Sequence, residues 1–320
     1  METAKMLPVM ETLQAAMLAY RKRKGTWKAL VAFSRLITSS QRISEVLGIV
    51  KATNATALII QKPDTILKWS GKYLAKNLVP SQRSRMLAFH YHFIATRIHD
   101  AFYACLLSDG FVLWSFKTDA GEIVLHMRYA QSPREGDLSL IMTFEHATIY
   151  ELSFTIVPGE FVHAPGPVLL VARVQGRRNR FEAIKKATKL CCDVSPPYVL
   201  MAAIEGIGAA LGVGCVAGVS NVNQIYGHKS FDYGSFWQTL SFEKAEFDFY
   251  ASALPIASRP LDQCSPDHRR RTKKKRNFKA GITMSVQRSF ECQCLKESST
   301  VGPELYGLFP DEDEMAAVVG

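Results

Sequence analysis

The sequence predicts an α/β protein of the α+β kind, a helical N-terminal region followed by a mixed, mostly antiparallel sheet flanked by helices. Three observations carry this. Over the first hundred residues apolar side chains recur at helical spacing and strand-like alternation is scarce. From Gly110 a series of β-rich runs follows, each closed by short turn signals. Between Val168 and Tyr226, a strand-like VLLVARV runs through a glycine-arginine turn into a helix, and a second apolar run, CVAGV, leads into an Asn/Gln/Tyr-bearing segment that reads as helix.

In chain order, Trp27, Leu30, Val31, Phe33 and Leu36 fit one helical face, and Pro63 and Pro80 divide the region into several helices. Ser81 and Arg85 precede a further helical run from Leu87 to Ile98. Phe111–Phe116 and Glu122–Met127, joined by Asp119-Ala120-Gly121, predict a hairpin. Leu138–Phe144, Thr148–Val157 and Val168–Val174 continue the meander. Val199 to Val219 is long enough to test as a membrane span, but it holds Glu205 and five glycines. It divides into a helix from about Pro197 to Leu211 and a buried strand from Cys215 to Val219, with Gly212 and Gly214 as stop and turn. Phe247–Tyr250 predicts a last strand. The expected organisation is a helical region at 1–105, an α/β domain at 106–262, a basic helix at 263–295 and an acidic tail at 296–320 ending in Asp311–Glu314.

The 320 residues hold 39 Lys+Arg against 29 Asp+Glu, a net charge of +10, so acidic partners are favoured. Nucleic acid, anionic lipid and phosphorylated cofactors all satisfy that field, but no nucleic-acid recognition motif is present. Seven cysteines without a CxxC pair argue for reduced thiols, and Cys292-Gln293-Cys294 has no partner ligands at metal spacing. His90, His92 and His99 put no pair on one helix face, so no metal is expected. At the N-terminus the apolar runs precede Arg21–Lys24, the wrong order for a secretory signal, which predicts an intracellular protein.

Val174-Gln175-Gly176-Arg177-Arg178-Asn179-Arg180 places a flexible backbone and three guanidinium groups at a helix opening, a pattern suited to a phosphorylated ligand. The alternative is a strand-to-helix turn with solvated arginines. With CVAGVSNVNQIY this segment resembles the cofactor half of an acyl-CoA N-acyltransferase (GNAT-like) core. That resemblance implies a strand splayed from its neighbour and an acyl-CoA or acyl-carrier thioester bound through Gln175, Gly176, Arg177, Arg178 and Arg180. It also implies that Asn221 and Asn223 line the cofactor and that Tyr226 is a general acid near the thioester sulfur. Glu145 or His146, in the bend between two strands, stands where such enzymes position a base for the acceptor amine. The other readings are an N-cap by Ser220 or Asn221 with Tyr226 packed in the core, and a polar bend. His228, Asp232, Tyr233 and Trp237 either close an acceptor pocket, with His228 as a catalytic proton carrier, or anchor a loop to the sheet.

A closer resemblance rests on LSLIMTF…IYELSF, VARVQGRRNRFEAIKKATKL, GVSNVNQIYGHKSFDYGSFW and the basic HRRRTKKKRNFK. In order and spacing these are similar to the VirK/YbjX family over roughly residues 20 to 290. The resemblance implies a cytoplasmic bacterial protein linked to virulence, outer-membrane properties and antimicrobial peptide resistance. In place of the His-Gly-Leu-Arg-Pro-like run it leads one to expect, this chain has Cys191 to Pro197. The expected function is acyl transfer to an envelope-related acceptor. The alternative is a non-catalytic adaptor, peripheral to the inner membrane. In that case the basic run, with Arg269, Arg270, Arg271, Lys273, Lys274 and Lys275, binds anionic lipid or an envelope-biogenesis partner. The plainer reading of that run is a solvated helix face.

Overall fold

The computed structural model describes residues 3–37, 45, 48–49, 56–227, 231–258, 260–261 and 265–296. His228, the side chain of Leu36 and the acidic tail with Asp311–Glu314 lie outside the described residues. The N-terminal region comprises α1 (Thr3–Lys24), α2 (Thr26–Ile37), α3 (Thr56–Gln61), a 3-10 segment (Pro63–Ser70), α4 (Pro80–Arg97) and α5 (Phe102–Leu107). Pro63 and Pro80 stand at the first turns of their helices, where a missing N–H has no intrahelical partner to lose. On α2 the predicted apolar face is turned outward. Ala29 and Ala32 are buried, while Trp27, Leu30 and Phe33 are exposed, because the small alanines allow close approach to neighbouring helices.

Among the described residues eight strands form one sheet in the order β1-β2-β3-β4-β5-β6-β8-β7. They are β1 (Phe111–Thr118), β2 (Gly121–Tyr129), β3 (Leu138–Phe144), β4 (Ala147–Val157), β5 (Val168–Gly176), β6 (Cys215–Val219), β7 (Glu243–Lys244) and β8 (Phe249–Ala253). Every pairing is antiparallel except β5 with β6. Between those two lie α6 (Phe181–Leu190) and α7 (Pro196–Leu211), and α8 (Tyr233–Thr239) and α9 (Pro266–Cys294) follow later. The possible span at 199–219 is divided by Gly212, whose φ of 67° stops α7 in a left-handed cap. Among the described residues no helix is long and apolar enough to cross a membrane.

Two expected elements differ. The segment after β6 is not a helix but a single turn, closed by Gln224 N–H on the Ser220 carbonyl. Its side chains bond outward instead of allowing further turns: Asn221 to Asp232 and Asn223 to the Phe247 carbonyl. The last strand begins at Phe249 because Phe247 and Asp248 adopt left-handed backbone, with φ of 53° and 56°.

The sheet has two unlike faces. One is covered by α6 and α7: Leu125, Met142 and Tyr150 lie side by side there, as do Met127, Leu140, Leu152 and Val174. A single apolar core joins this face to the helices. Helix α9 is two-part, basic and exposed at first, then buried at four-residue spacing through Ile282, Val286, Phe290 and Cys294. It crosses α7 closely, since a Cβ on Gly206 would sit 2.5 Å from the Thr283 carbonyl oxygen.

The N-terminal region joins the sheet through buried polar groups. Asp137, just before β3, accepts bonds from Lys68 Nζ at 2.7 Å, Tyr91 at 3.2 Å, Thr155 Oγ1 at 2.8 Å and the Tyr73 hydroxyl. Burial opposes its charge, yet the nearby Lys68 prevails and holds the carboxyl down at about 2. His90 of α4 is fully buried. Its Nδ1 accepts the Ile156 N–H at 3.3 Å and its Nε2 meets the Tyr103 hydroxyl at 3.3 Å, so the ring is neutral.

Burial pulls His90 down to about 4. In the unfolded chain it protonates below about 6.5, so between those values the unfolded state binds one proton more. The stability contribution is complete above 6.5 and falls with pH toward 4, at roughly 1 kcal/mol per unit. Denaturant titrations from pH 7 to 4 should show this slope, and His90→Gln should flatten it. An unchanged slope in the variant assigns the acid sensitivity to other groups.

Candidate functional site

The register builds the candidate site on the face that α6 and α7 leave open. Val112, His126, Ile141, Glu151 and Gln175 are successive cross-strand partners from β1 to β5. Directly opposed residues project to one side of a sheet, so these five form a row about 19 Å long at ~4.8 Å per strand. Arg128, Ser139, Ser153 and Arg173 form the next row. Two cavities share this face. One, of about 620 Å³, is floored by Glu151, Arg173 and Gln175 and rimmed by Gly176, Arg177, Arg178 and Arg180. The other, of about 480 Å³, contains Ser115, His126, Arg128, Thr143 and His146. Thr148 lines both, and Gln131 of the second accepts a bond from Arg177 of the first at 2.5 Å, so they form one trough.

A buried charge network underlies the first cavity. Arg173 donates to Glu135 at 2.6 Å and to Ser132 at 3.0 Å, and its Nε lies 3.8 Å from Glu151. Arg177 lies 3.5 Å from the same Glu151 carboxylate. Ser139 donates to Glu151 at 3.1 Å. Glu135 also receives the Gln224 amide, and burial pushes its pKa up against the opposing pull of Arg173. Three buried atoms on this face have no hydrogen-bond partner among the described residues: Arg173 Nε, Gln175 Oε1 and His126 Nδ1. Such groups carry a desolvation penalty that a ligand can relieve. Burial, with Arg128 nearby, pulls His126 below its usual range, which keeps the imidazole neutral and able to accept a proton.

Beside the arginine turn the parallel pair opens. β5 and β6 pair from Val168 with Cys215 to Val171 with Gly218, and β5 then continues to Gly176 without that neighbour. The Tyr233 hydroxyl fills the gap, accepting the Val174 N–H at 3.0 Å and facing its carbonyl at 3.4 Å. Trp237 donates to the Val219 carbonyl at 2.9 Å and packs on Gly218, where no Cβ would fit. Asp232 caps α8 and holds Asn221, whose Oδ1 receives the Tyr233 N–H at 2.7 Å. Asp232, Tyr233 and Trp237 therefore anchor the loop to the sheet.

Gln175, Gly176, Arg177, Arg178 and Arg180 all border the first cavity, with Arg178 and Arg180 exposed. A Cβ on Gly176 would meet the Tyr150 ring at 2.9 Å and Ile184 at 3.5 Å, so the glycine serves packing under α6. Asn221 and Asn223 do not line the trough. Glu145 and His146 form the two-residue turn between β3 and β4, with φ of 49° and 62°. Glu145 accepts the Glu122 N–H at 2.7 Å and fastens the hairpin, while His146 borders the second cavity. Tyr226 is half-exposed, and its backbone N–H reaches Glu135, so its loop flanks Arg173. Arg269, Arg270, Arg271, Lys273 and Lys274 are exposed on α9, and Lys275 is partly buried.

Glu135, Glu151, Arg173 and His126 are site residues that sequence reasoning missed. In sequence each is one polar residue in a turn or an alternating strand, indistinguishable from a solvated face. Only the register brings them together.

Removing the guanidinium of Arg173 leaves the Glu135 carboxylate buried without its cationic partner and takes one of two guanidinium neighbours from Glu151. Arg173→Ala should lose about 3–5 kcal/mol in denaturant unfolding, whereas exposed Arg178→Ala and Arg180→Ala should each stay within about 0.5 kcal/mol. Equal effects at all three positions would contradict the division into a buried floor and an exposed rim.

No curated protein and no solved structure matches the chain. A family model described as "Protein of unknown function (DUF535)" matches residues 21–287, a span that includes the whole sheet, the trough and the basic part of α9. The chain therefore belongs to the DUF535 family, which is the VirK/YbjX family that its sequence motifs resemble.

Proposed function

We propose that the trough binds a phosphorylated thioester, an acyl-CoA or acyl carrier, and transfers its acyl group to an amine or hydroxyl acceptor of the cell envelope. One observation carries this: the parallel pair β5/β6 opens past Val171 and Gly218 directly beside an arginine turn and a cavity of about 620 Å³. A strand parting from its neighbour next to a phosphate turn is what a GNAT-like core would provide, with the Tyr233 hydroxyl here bonded to the Val174 backbone in the gap and the arginine-rimmed cavity left for the ligand. Arg178 and Arg180 are exposed at the rim, where they would meet phosphate by charge-assisted bonds. Arg177 is held by Gln131 and Glu151 and would orient the same group.

Glu151 replaces Glu145 as the proposed base, since Glu145 is bound to its hairpin and Glu151 lies on the cavity floor. In the proposed step Glu151 takes a proton from the acceptor, whose nitrogen or oxygen attacks the thioester carbonyl. The C–S bond then breaks and the thiolate leaves with a proton from Tyr226, whose loop flanks Arg173 at this end. Positioning and proton transfer would account for the rate.

A non-catalytic reading also has an observation in its favour. The first half of α9 exposes Arg269, Arg270, Arg271, Lys273 and Lys274 with no acidic residue among them, which suits an anionic membrane surface or an acidic envelope-biogenesis partner.

Calorimetry with CoA and a representative acyl carrier separates the two. The unmodified protein should bind one of them, and the double variant Arg178→Ala/Arg180→Ala should bind at least about tenfold more weakly with an unchanged melting temperature, given about 1.5–3 kcal/mol per charged hydrogen bond. Tyr226→Phe should lower turnover by roughly 10²-fold while affinity holds. No binding of either thioester carrier by the unmodified protein removes the acyl-transfer reading and leaves the adaptor.

A further inference from the structure

A third cavity, of about 880 Å³, lies on the opposite side of α7 from β5, between α7, α9 and the loops at 239–241 and 255–258. Helices α7 and α9 touch where Gly206 meets Thr283 and Val286, and where Thr283 Oγ1 donates to the Ala202 carbonyl at 3.0 Å. The segment before α7 meets α9 at the far end, where Arg271 and Asp193 pair at 3.0 Å. Between these two contacts the helices do not fill the space.

Its chemistry is two-sided. Tyr198, Met201, Ala202, Leu240, Ile256 and Met284 give an apolar lining, and Lys275, Arg276 and Lys279 stand along one wall on successive turns of α9. Two carboxylates line it: Asp193, paired with Lys189 and Arg271, and Glu205, which accepts the Ile256 N–H at 2.7 Å and feels the charge of Lys279, so both are already accommodated. Pockets for organic ligands are mostly apolar, about 300–1,000 Å³, with a few placed polar groups. The trough differs in kind, since charged and hydroxyl side chains floor it. A solvated basic helix explains Arg269, Arg270, Lys273 and Lys274, but not an apolar cavity beneath the next turn.

We propose that this cavity takes the hydrocarbon chain of an anionic amphiphile, with the lipid's phosphate or carboxylate head held by Lys275 and Lys279. The exposed basic residues of the preceding turns would bring the protein to an anionic lipid surface, and the cavity would then accept one chain. Charge complementarity commits the occupant to an anionic lipid, because the wall facing the apolar lining carries three cationic side chains. The inference stands apart from acyl transfer, since it uses neither the trough nor its arginines.

The test uses the full chain and dodecyl phosphate below its micelle concentration, followed by calorimetry beside inorganic phosphate. Dodecyl phosphate should bind at one site, at least about tenfold more tightly than inorganic phosphate. Met201→Trp, which fills the cavity, and Met284→Glu, at an exposed lip position that tolerates polarity, should each weaken dodecyl phosphate binding at least about tenfold. Both should still sediment with phosphatidylglycerol vesicles, a readout that depends on the outer basic residues. If Met201→Trp fails to fold, Met284→Glu decides alone. Wild-type affinity in the folded cavity variants overturns the proposal. So does equal affinity for the two phosphates, or a loss seen instead with Arg178→Ala, which would put the anion in the trough.

Discussion

The structure depends on one short turn, Glu135-Gly136-Asp137, whose two carboxylates are buried and committed in opposite directions. Asp137 takes Lys68, Tyr73 and Tyr91 from the N-terminal region, and Glu135 takes Arg173 from β5 and Gln224 from the loop after β6. Gly136 has a φ of 146°, and a Cβ there would lie 2.9 Å from the Phe154 amide nitrogen, so only glycine allows the turn to press against β4. Buried ion pairs add little net stability, but losing one partner is costly. Their effect is to reject other arrangements. Any shift of the helical region along the sheet would strand Asp137, and any shift of β5 would strand Glu135.

This turn separates two environments. On its Asp137 side the N-terminal region closes over the carboxylate, and both of its oxygens are paired. On its Glu135 side the charge network continues through Arg173 to Glu151 and Arg177 into the trough, and three polar atoms have no hydrogen-bond partner among the described residues. The site is thus the uncovered continuation of a structural network, held by the same residues that hold the fold.

Much of the fold was legible in the sequence because it rests on local periodicity. The hairpin after Gly110, the runs at 138–144 and 168–174, and the division of 199–219 at Gly212 follow from alternation and turn residues that need no tertiary information. The α2 face was misjudged because apolar spacing does not say which side packs, and here two alanines decide it. Asn221, Asn223 and Gln224 looked like the opening of a helix, but their side chains reach Asp232, Phe247 and Glu135, partners 11, 24 and 89 residues away. The arginine turn was visible as a motif. Its floor was not, since Glu135, Glu151 and Arg173 come from three segments.

Arg173 shows why alternation alone could not have found that floor. In an unbroken β5 the residues 169, 171 and 173 would share a face, and Leu169 and Val171 pair with Ile156 and Phe154 on the helix-covered side. The register shifts between Ser153 and Phe154: Val171 opposes Phe154, Ala172 is left over, and Arg173 opposes Ser153. That bulge turns every later residue of β5 over. Without it Arg173 and Gln175 would point into the apolar core under α6 and α7, and Val174 would line the trough. One extra residue in one strand therefore converts an apolar strand end into the charged floor of a cavity, and it does so at the point where β5 leaves its parallel neighbour. The opening of the sheet and the delivery of its charge are a single local event in the backbone.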